Sequence, residues 1–167
     1  PVPEAKPAAS GLIYLVDRPD AAQKVVVQSL RGVDRKHADY YALMLADAVW
    51  GGGGFGNRLN LNLREDTGYA YGASSFQLPY NHGALWVAQA GVQTDKTKES
   101  VVEFLKELEG LHGERPVSEQ ELADAKLNRI RGYSQQFETS SRIAFELATL
   151  WQLGLPPSEL ERDPRET

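Results

Sequence analysis

The chain has no cysteine, one methionine and only three histidines in 167 residues. Without thiols, disulfides, thiolate metal sites and cysteine nucleophiles are excluded together, and the redox compartment stays open. The histidines are His37, His82 and His112, and none has a second histidine three or four residues away. That spacing is how one helix face presents two imidazoles to a metal, so a closed metal site built within this chain is not expected. Each reads instead as a surface residue. His37 lies near a helix start, His82 in a hairpin loop, and His112 at a helix C-terminus, where a cation suits the dipole. Basic residues are also in deficit: 18 Lys and Arg stand against 23 Asp and Glu, for a net charge of −5. A nucleic-acid partner would call for the opposite balance. No apolar run approaches the roughly 20 residues of a membrane-spanning helix. A Gly-x-Ser-x-Gly nucleophile elbow is missing as well.

What is present is ordinary for a globular domain. Hydrophobic residues make up 41% and charged residues 25% of the chain, enough for one domain with its own core. The first ten residues, PVPEAKPAAS, have neither the basic start nor the apolar stretch of a signal peptide, and read as a Pro/Ala linker. The last residues, LERDPRET, are polar and follow a helix directly. Both ends are those expected of a piece of a longer protein, with residues 11–167 forming the domain.

Two strands open it, Gly11–Asp17 and the valine-rich Lys24–Leu30, separated by the turn residues Asp17-Arg18-Pro19-Asp20. A helix over about Arg35–Trp50, capped by Asp34, would bury Tyr41, Met44, Leu45, Ala48 and Val49. Tyr69–Leu78 and Gly83–Val92 read as a β-hairpin closed by Pro79-Tyr80-Asn81-His82. Three helices come after it. The first begins at Thr94 or Asp95, with Val101, Phe104, Leu105, Leu108 and Leu111 as its apolar face. The second begins at a Ser118-x-x-Glu121 capping box with Val117 and Leu122 at the staple positions. The third, Ser140–Leu153, would bury Ile143, Leu147, Leu150 and Trp151 before Gly154-Leu155-Pro156-Pro157 stops it. Strands first, helices last and hairpin-length links predict an α+β fold, two layers with a mostly antiparallel sheet against helices.

The most informative stretch is Gly51–Tyr71, GGGGFGNRLNLNLREDTGYAY. Its glycines follow a helix and lead to Phe55, Asn57 and Arg58. A phosphate loop would need a Lys-Ser/Thr after its last glycine, and a dinucleotide loop would need a strand before it, so neither applies. A flexible connection is the reading the glycines favour. Leu59 and Leu63 form a single buried stripe at i, i+4 on a short helix over Arg58–Asp66. Gly68 then turns the chain, and Tyr69, Tyr71 and Ala73 fall on one face of a strand. Arg64 and Tyr71 thus flank one turn and are placed to point into one space.

LNLREDTGYAYGASS resembles the Leu-Arg-Glu-x-x-Gly-x-Ala-Tyr stretch of the pitrilysin and insulin-degrading-enzyme family of zinc metallopeptidases. The glycine-rich lead-in through Phe55 and Arg58-Leu59-Asn60 is similar too, and the resemblance extends over the order of elements along nearly the whole chain. It implies the second, non-metal half of such an enzyme, in which Arg64 and Tyr71 reach across to a zinc site carried by a separate half. Peptide hydrolysis develops an oxyanion, which a phenol and a guanidinium are suited to stabilise. The resemblance implies no cofactor in this chain and zinc in the partner half. The implied partners are that zinc-bearing half and an unfolded peptide. It also implies that further helices and a last strand of the half-domain lie beyond this chain, leaving a sheet position open. Tyr69 and Phe55 are the candidate substrate-contacting residues. Phe76, Tyr80 and Trp86 could extend such a wall, although aromatics on strands more often pack in cores. Some members of the family are catalytically silent scaffold or peptide-binding subunits, and this is the alternative reading for the chain.

Overall fold

A computed structural model describes residues 21–80 and 83–166. The candidate strand Gly11–Asp17, the linker before it and His82 lie outside these residues. The sheet has three antiparallel strands: β1 (Gln23–Arg31), β2 (Ala70–Tyr80) and β3 (Gly83–Gln93), in the order β1-β3-β2. The expected hairpin is present, with Tyr80 paired to Gly83 and Ser75 to Ala88. The fold is α+β, as the sequence pattern predicts.

Between β1 and β2 come α1 (Tyr40–Asp47), which runs on through wider π-type turns to Gly52, and the short α2 (Arg58–Asn60), which continues likewise through Asp66. After β3 follow α3 (Thr97–Gly110), α4 (Glu119–Tyr133), α5 (Ser140–Gln152) and α6 (Glu159–Glu166). Helix α1 starts five residues later than the sequence suggests. Asp34 does not cap it: its carboxylate accepts the Lys36 N–H at 2.9 Å and closes a local turn instead.

Period-two alternation along β3 decides which face of the sheet is covered. Ala84, Trp86, Ala88, Ala90 and Val92 are buried, whereas Leu85, Gln89 and Gln93 at the alternate positions are exposed. The covered face is made largely of alanine, so large rings can lie against it. Trp50 packs edge-to-face on Trp86 at 4.9 Å, and Leu59, Leu63 and Phe104 complete the cluster. Leu59 and Leu63 are fully buried, as their i, i+4 spacing predicts. On α1, Tyr41, Leu45 and Val49 are buried in the expected stripe.

Two helices bury less than their patterns suggest. On α3 the inward face centres on Ser100, Phe104 and Glu107, leaving Val101 and Leu105 exposed. Glu107 takes an inward position because Asn62 donates to it at 2.8 Å and Arg115 at 2.9 Å. On α5 only Leu150 is buried; Ile143 and Leu147 are exposed, and Trp151 is 83% exposed. No described element covers that face.

Candidate functional site

The first three glycines of the run are packed rather than a free connection. Gly51 is buried at the end of the α1 turn, and a Cβ there would come within 2.5 Å of Ser75 Oγ and 2.9 Å of the Leu59 side chain. At Gly53 a Cβ would collide with the Ala48 carbonyl. The missing side chains let the α1 turn touch β2 directly. Gly54, at φ +83°, then reverses the chain, a conformation that glycine adopts without penalty.

Three asparagines fix the segment after the glycines. Asn57 caps α2 by accepting the Asn60 N–H at 2.9 Å, and its amide donates to the Gly51 carbonyl at 3.0 Å and also to that of Gly54. Asn60 donates to the Ala73 carbonyl at 2.7 Å and the Gly54 carbonyl at 3.2 Å, and accepts the Ala73 N–H at 2.9 Å. Asn62 donates to Glu103 at 2.7 Å and to Glu107 at 2.8 Å, tying the segment to α3. Arg58, also buried, forks onto Glu121 through Nε and Nη2, both at 2.7 Å, and onto the Arg115 and Pro116 carbonyls at 2.6 and 3.0 Å. Glu121 belongs to the capping box of α4, which forms as the sequence predicts. The Arg58 hydrogen bonds, aided by those from Ser118, hold its carboxyl down at a pKa of about 2.

Arg64 and Tyr71 emerge from this frame into solvent. The Arg64 side chain is 40% exposed and meets Glu65 at 3.4 Å, an exposed ion pair worth little. Its guanidinium lies 4.8 Å from the centre of the Phe55 ring, itself 73% exposed. Tyr71 is 83% exposed, so its ring does not pack in the sheet core. Tyr71 and Ala73 do not share a face as simple alternation requires. Ala70 pairs with Val92 and Ala73 with Ala90, so β2 carries one residue more than β3 across this interval. Such a β-bulge resets the alternation and re-aims side chains. Phe55, Gly72, Ala73 and Asn60 line one cleft of about 380 Å³. Of the candidate pair, Arg64 stacks on Phe55, and Tyr71 directly precedes Gly72 in the chain.

The remaining candidates fall elsewhere. Tyr69 is half-buried against the core, with Lys96 Nζ 5.9 Å from its ring centre. Trp86 is a core residue whose indole N–H donates to Asp47. Phe76 is half-buried and Tyr80 exposed. His37 engages Asp39 at 3.7 Å on the surface. Among the described residues no three His, Cys, Asp or Glu side chains cluster as a metal site. Among the described residues, then, no donor set fits zinc. A larger groove of about 500 Å³ lies between α1, α2 and α4, but the arginines lining it are engaged, Arg58 by Glu121 and Arg129 by Asp163 at 2.6 Å.

The profile of the peptidase M16 inactive domain matches residues 1–129. This chain belongs to that family. The chain is similar in structure to a peptidase M16 inactive domain from Pseudomonas fluorescens, with a TM-score of 0.77 and 27% identity, over 87% of this chain and 34% of that one. It also resembles a protease from Helicobacter pylori, with a TM-score of 0.72 and 19% identity over 89% and 36% of the two chains. A chain of complex III from Candida albicans gives a TM-score of 0.72 and 18% identity over 88% and 37%. At those identities the last two likenesses speak for the fold alone. The chain spans about a third of the length of these solved chains. A search of curated proteins finds no match.

Sequence reasoning singled out Arg64, Tyr71 and Phe55 as candidates but not the asparagines and Arg58 that hold the segments around them. The signal was there to read. Asn57, Asn60 and Asn62 stand within six residues of a helical segment, where asparagine is a poor helix former unless its amide has specific work.

Proposed function

We propose that this chain is the non-metal half of a zinc metalloendopeptidase. It closes over a separate zinc-bearing half, encloses an unfolded peptide and contributes Arg64 and Tyr71 to the reaction. The observation that carries this reading is the exposure of Tyr71. A large aromatic side chain stands 83% open between the buried Ala70 and Ala73, at the bulge that turns it away from the covered face of the sheet. Its phenol donates a hydrogen bond to the oxygen that gains charge as the peptide carbonyl is attacked. Arg64, held over Phe55 by a cation–π contact, offers donors to an adjacent substrate carbonyl. Phe55 supplies an apolar surface beside them. The partner half provides the metal; the residues of this chain orient substrate and stabilise charge.

The test is peptide hydrolysis by the full-length parent, or by this chain mixed with its metal-bearing partner. Tyr71→Phe is expected to lower kcat by about 10²–10³-fold, the usual cost of losing one oxyanion donor, with folding and metal content unchanged. This chain by itself is expected to hydrolyse nothing. An unchanged rate in Tyr71→Phe would leave a silent scaffold as the better account.

A further inference from the structure

We infer that Asn60 is the positioning residue that sets Tyr71 in register with Arg64 and Phe55. This rests on the reading that those three side chains serve one site. The bulge between Ala70 and Ala73 sets Tyr71 and Gly72 together against the single residue between Val92 and Ala90 on β3, so neither has a ladder partner of its own. What fixes the direction of Tyr71 is then the backbone on either side of it. Ala70 is held in the core, and Ala73 is held by Asn60. The Asn60 amide meets Ala73 as a backbone peptide unit would, donating to its carbonyl at 2.7 Å and accepting its N–H at 2.9 Å. A side chain thus does the work of a neighbouring strand at the residue where the ladder resumes. The second N–H of the same amide reaches the Gly54 carbonyl at 3.2 Å, directly before Phe55. Arg64 follows Asn60 by four residues, one turn along the same helical segment. One amide therefore links the backbone attachment points of all three.

The chemistry is specific to asparagine. The position is 4% exposed and uses two donors and one acceptor on one planar group. Aspartate has the same shape, but it would turn two donated bonds into oxygen facing carbonyl oxygen. Glutamine keeps the donors and acceptor but displaces them by one methylene. Leucine would strand the Ala73 N–H and carbonyl without partners.

The experiment uses the full-length parent, comparing wild type, Asn60→Asp, Asn60→Gln, Tyr71→Phe and the double variant Asn60→Gln/Tyr71→Phe, with 3-fluorotyrosine placed at position 71 for the resonance measurements on the three proteins that keep the tyrosine. The fluorine resonance of residue 71 is expected to move or broaden in both Asn60 variants, with amide exchange at Ala73 accelerated. For either variant, kcat should fall about 10- to 100-fold with KM within about twofold, less than the loss expected for removing the donor outright. In the double variant the loss should equal that of Tyr71→Phe alone, because a residue acting through Tyr71 has nothing left to position. Asn60→Gln serves where Asn60→Asp does not fold. A fluorine signal that stays in place, or a kcat loss that adds to that of Tyr71→Phe, overturns the inference. If Tyr71→Phe itself leaves the rate unchanged, the proposed function fails, while the fluorine resonance still decides whether Asn60 sets the position of Tyr71.

Discussion

Asp47 shows how a single residue can escape pattern reading. It lies on the inner side of α1, 7% exposed, where its carboxylate accepts hydrogen bonds from Ser75 Oγ and the Trp86 indole. Burial raises its pKa, and the two hydrogen bonds oppose that shift without cancelling it. The folded protein therefore keeps this proton to higher pH than the unfolded chain does. Its contribution to stability is full below the unfolded value near 3.8 and is lost as pH rises through the folded value. Asp47→Asn retains an acceptor for both donors and removes the buried charge. At pH 7 it is expected to be neutral or to stabilise by about 1 kcal/mol, whereas Asp47→Leu, which orphans both donors, should cost about 2–4 kcal/mol. Urea titrations at pH 4 and pH 7 check both values, and the advantage of Asn over Asp should shrink at the lower pH. In the sequence Asp47 reads as one more solvated acid between core positions. Nothing local says that a serine 28 residues onward and a tryptophan 39 residues onward will meet it.

At the scale of elements, those whose physics is local were legible. The capping box of α4, the Leu59/Leu63 stripe and the β2–β3 hairpin each depend on residues within a few positions of one another. Misread elements depend on what covers them: α5 is amphipathic in sequence, yet Trp151 is open, because amphipathicity states which face prefers burial and not whether a neighbour arrives. The glycine run failed for a related reason. Four consecutive glycines suggest freedom, but here small size lets α1 approach β2, and the required partner, Ser75, is far along the chain. Gly51→Ala, with its Cβ 2.5 Å from Ser75 Oγ, is expected to destabilise by about 1–3 kcal/mol through overpacking, measured by thermal or chemical melts. A flexible linker would instead gain slightly from the same change, through the entropy of the unfolded chain.

For the whole molecule, the Arg58–Glu121 pair ties the segment bearing Arg64 to α4 and so joins the site to the helical layer. Because the Glu121 carboxyl is held at about 2, its stabilising contribution is complete above the unfolded value near 4.5. It is lost as pH falls toward the folded value. Glu121 is partly open to solvent, so after screening this amounts to about 1–2 kcal/mol. Glu121→Gln should lose that amount at pH 7 and flatten the acid limb of the stability curve between pH 5 and 2, as read by melting temperature against pH. Arg64 and Tyr71 could be named as candidates from the sequence through their family resemblance, whereas the contacts that hold the surrounding segments could not, since they join residues up to 63 positions apart. The bulge in β2 carries a last consequence, for chain length. One residue more on β2 than on β3 returns Ala70 and Ala73 to the same buried face, so a strand one residue shorter would present the same inward pattern to the core. The extra residue is invisible to packing, and a comparison of sequences by core positions alone would pass over it. A count of residues between the two alanines is thus a compact test of whether a related chain still presents its tyrosine as this one does.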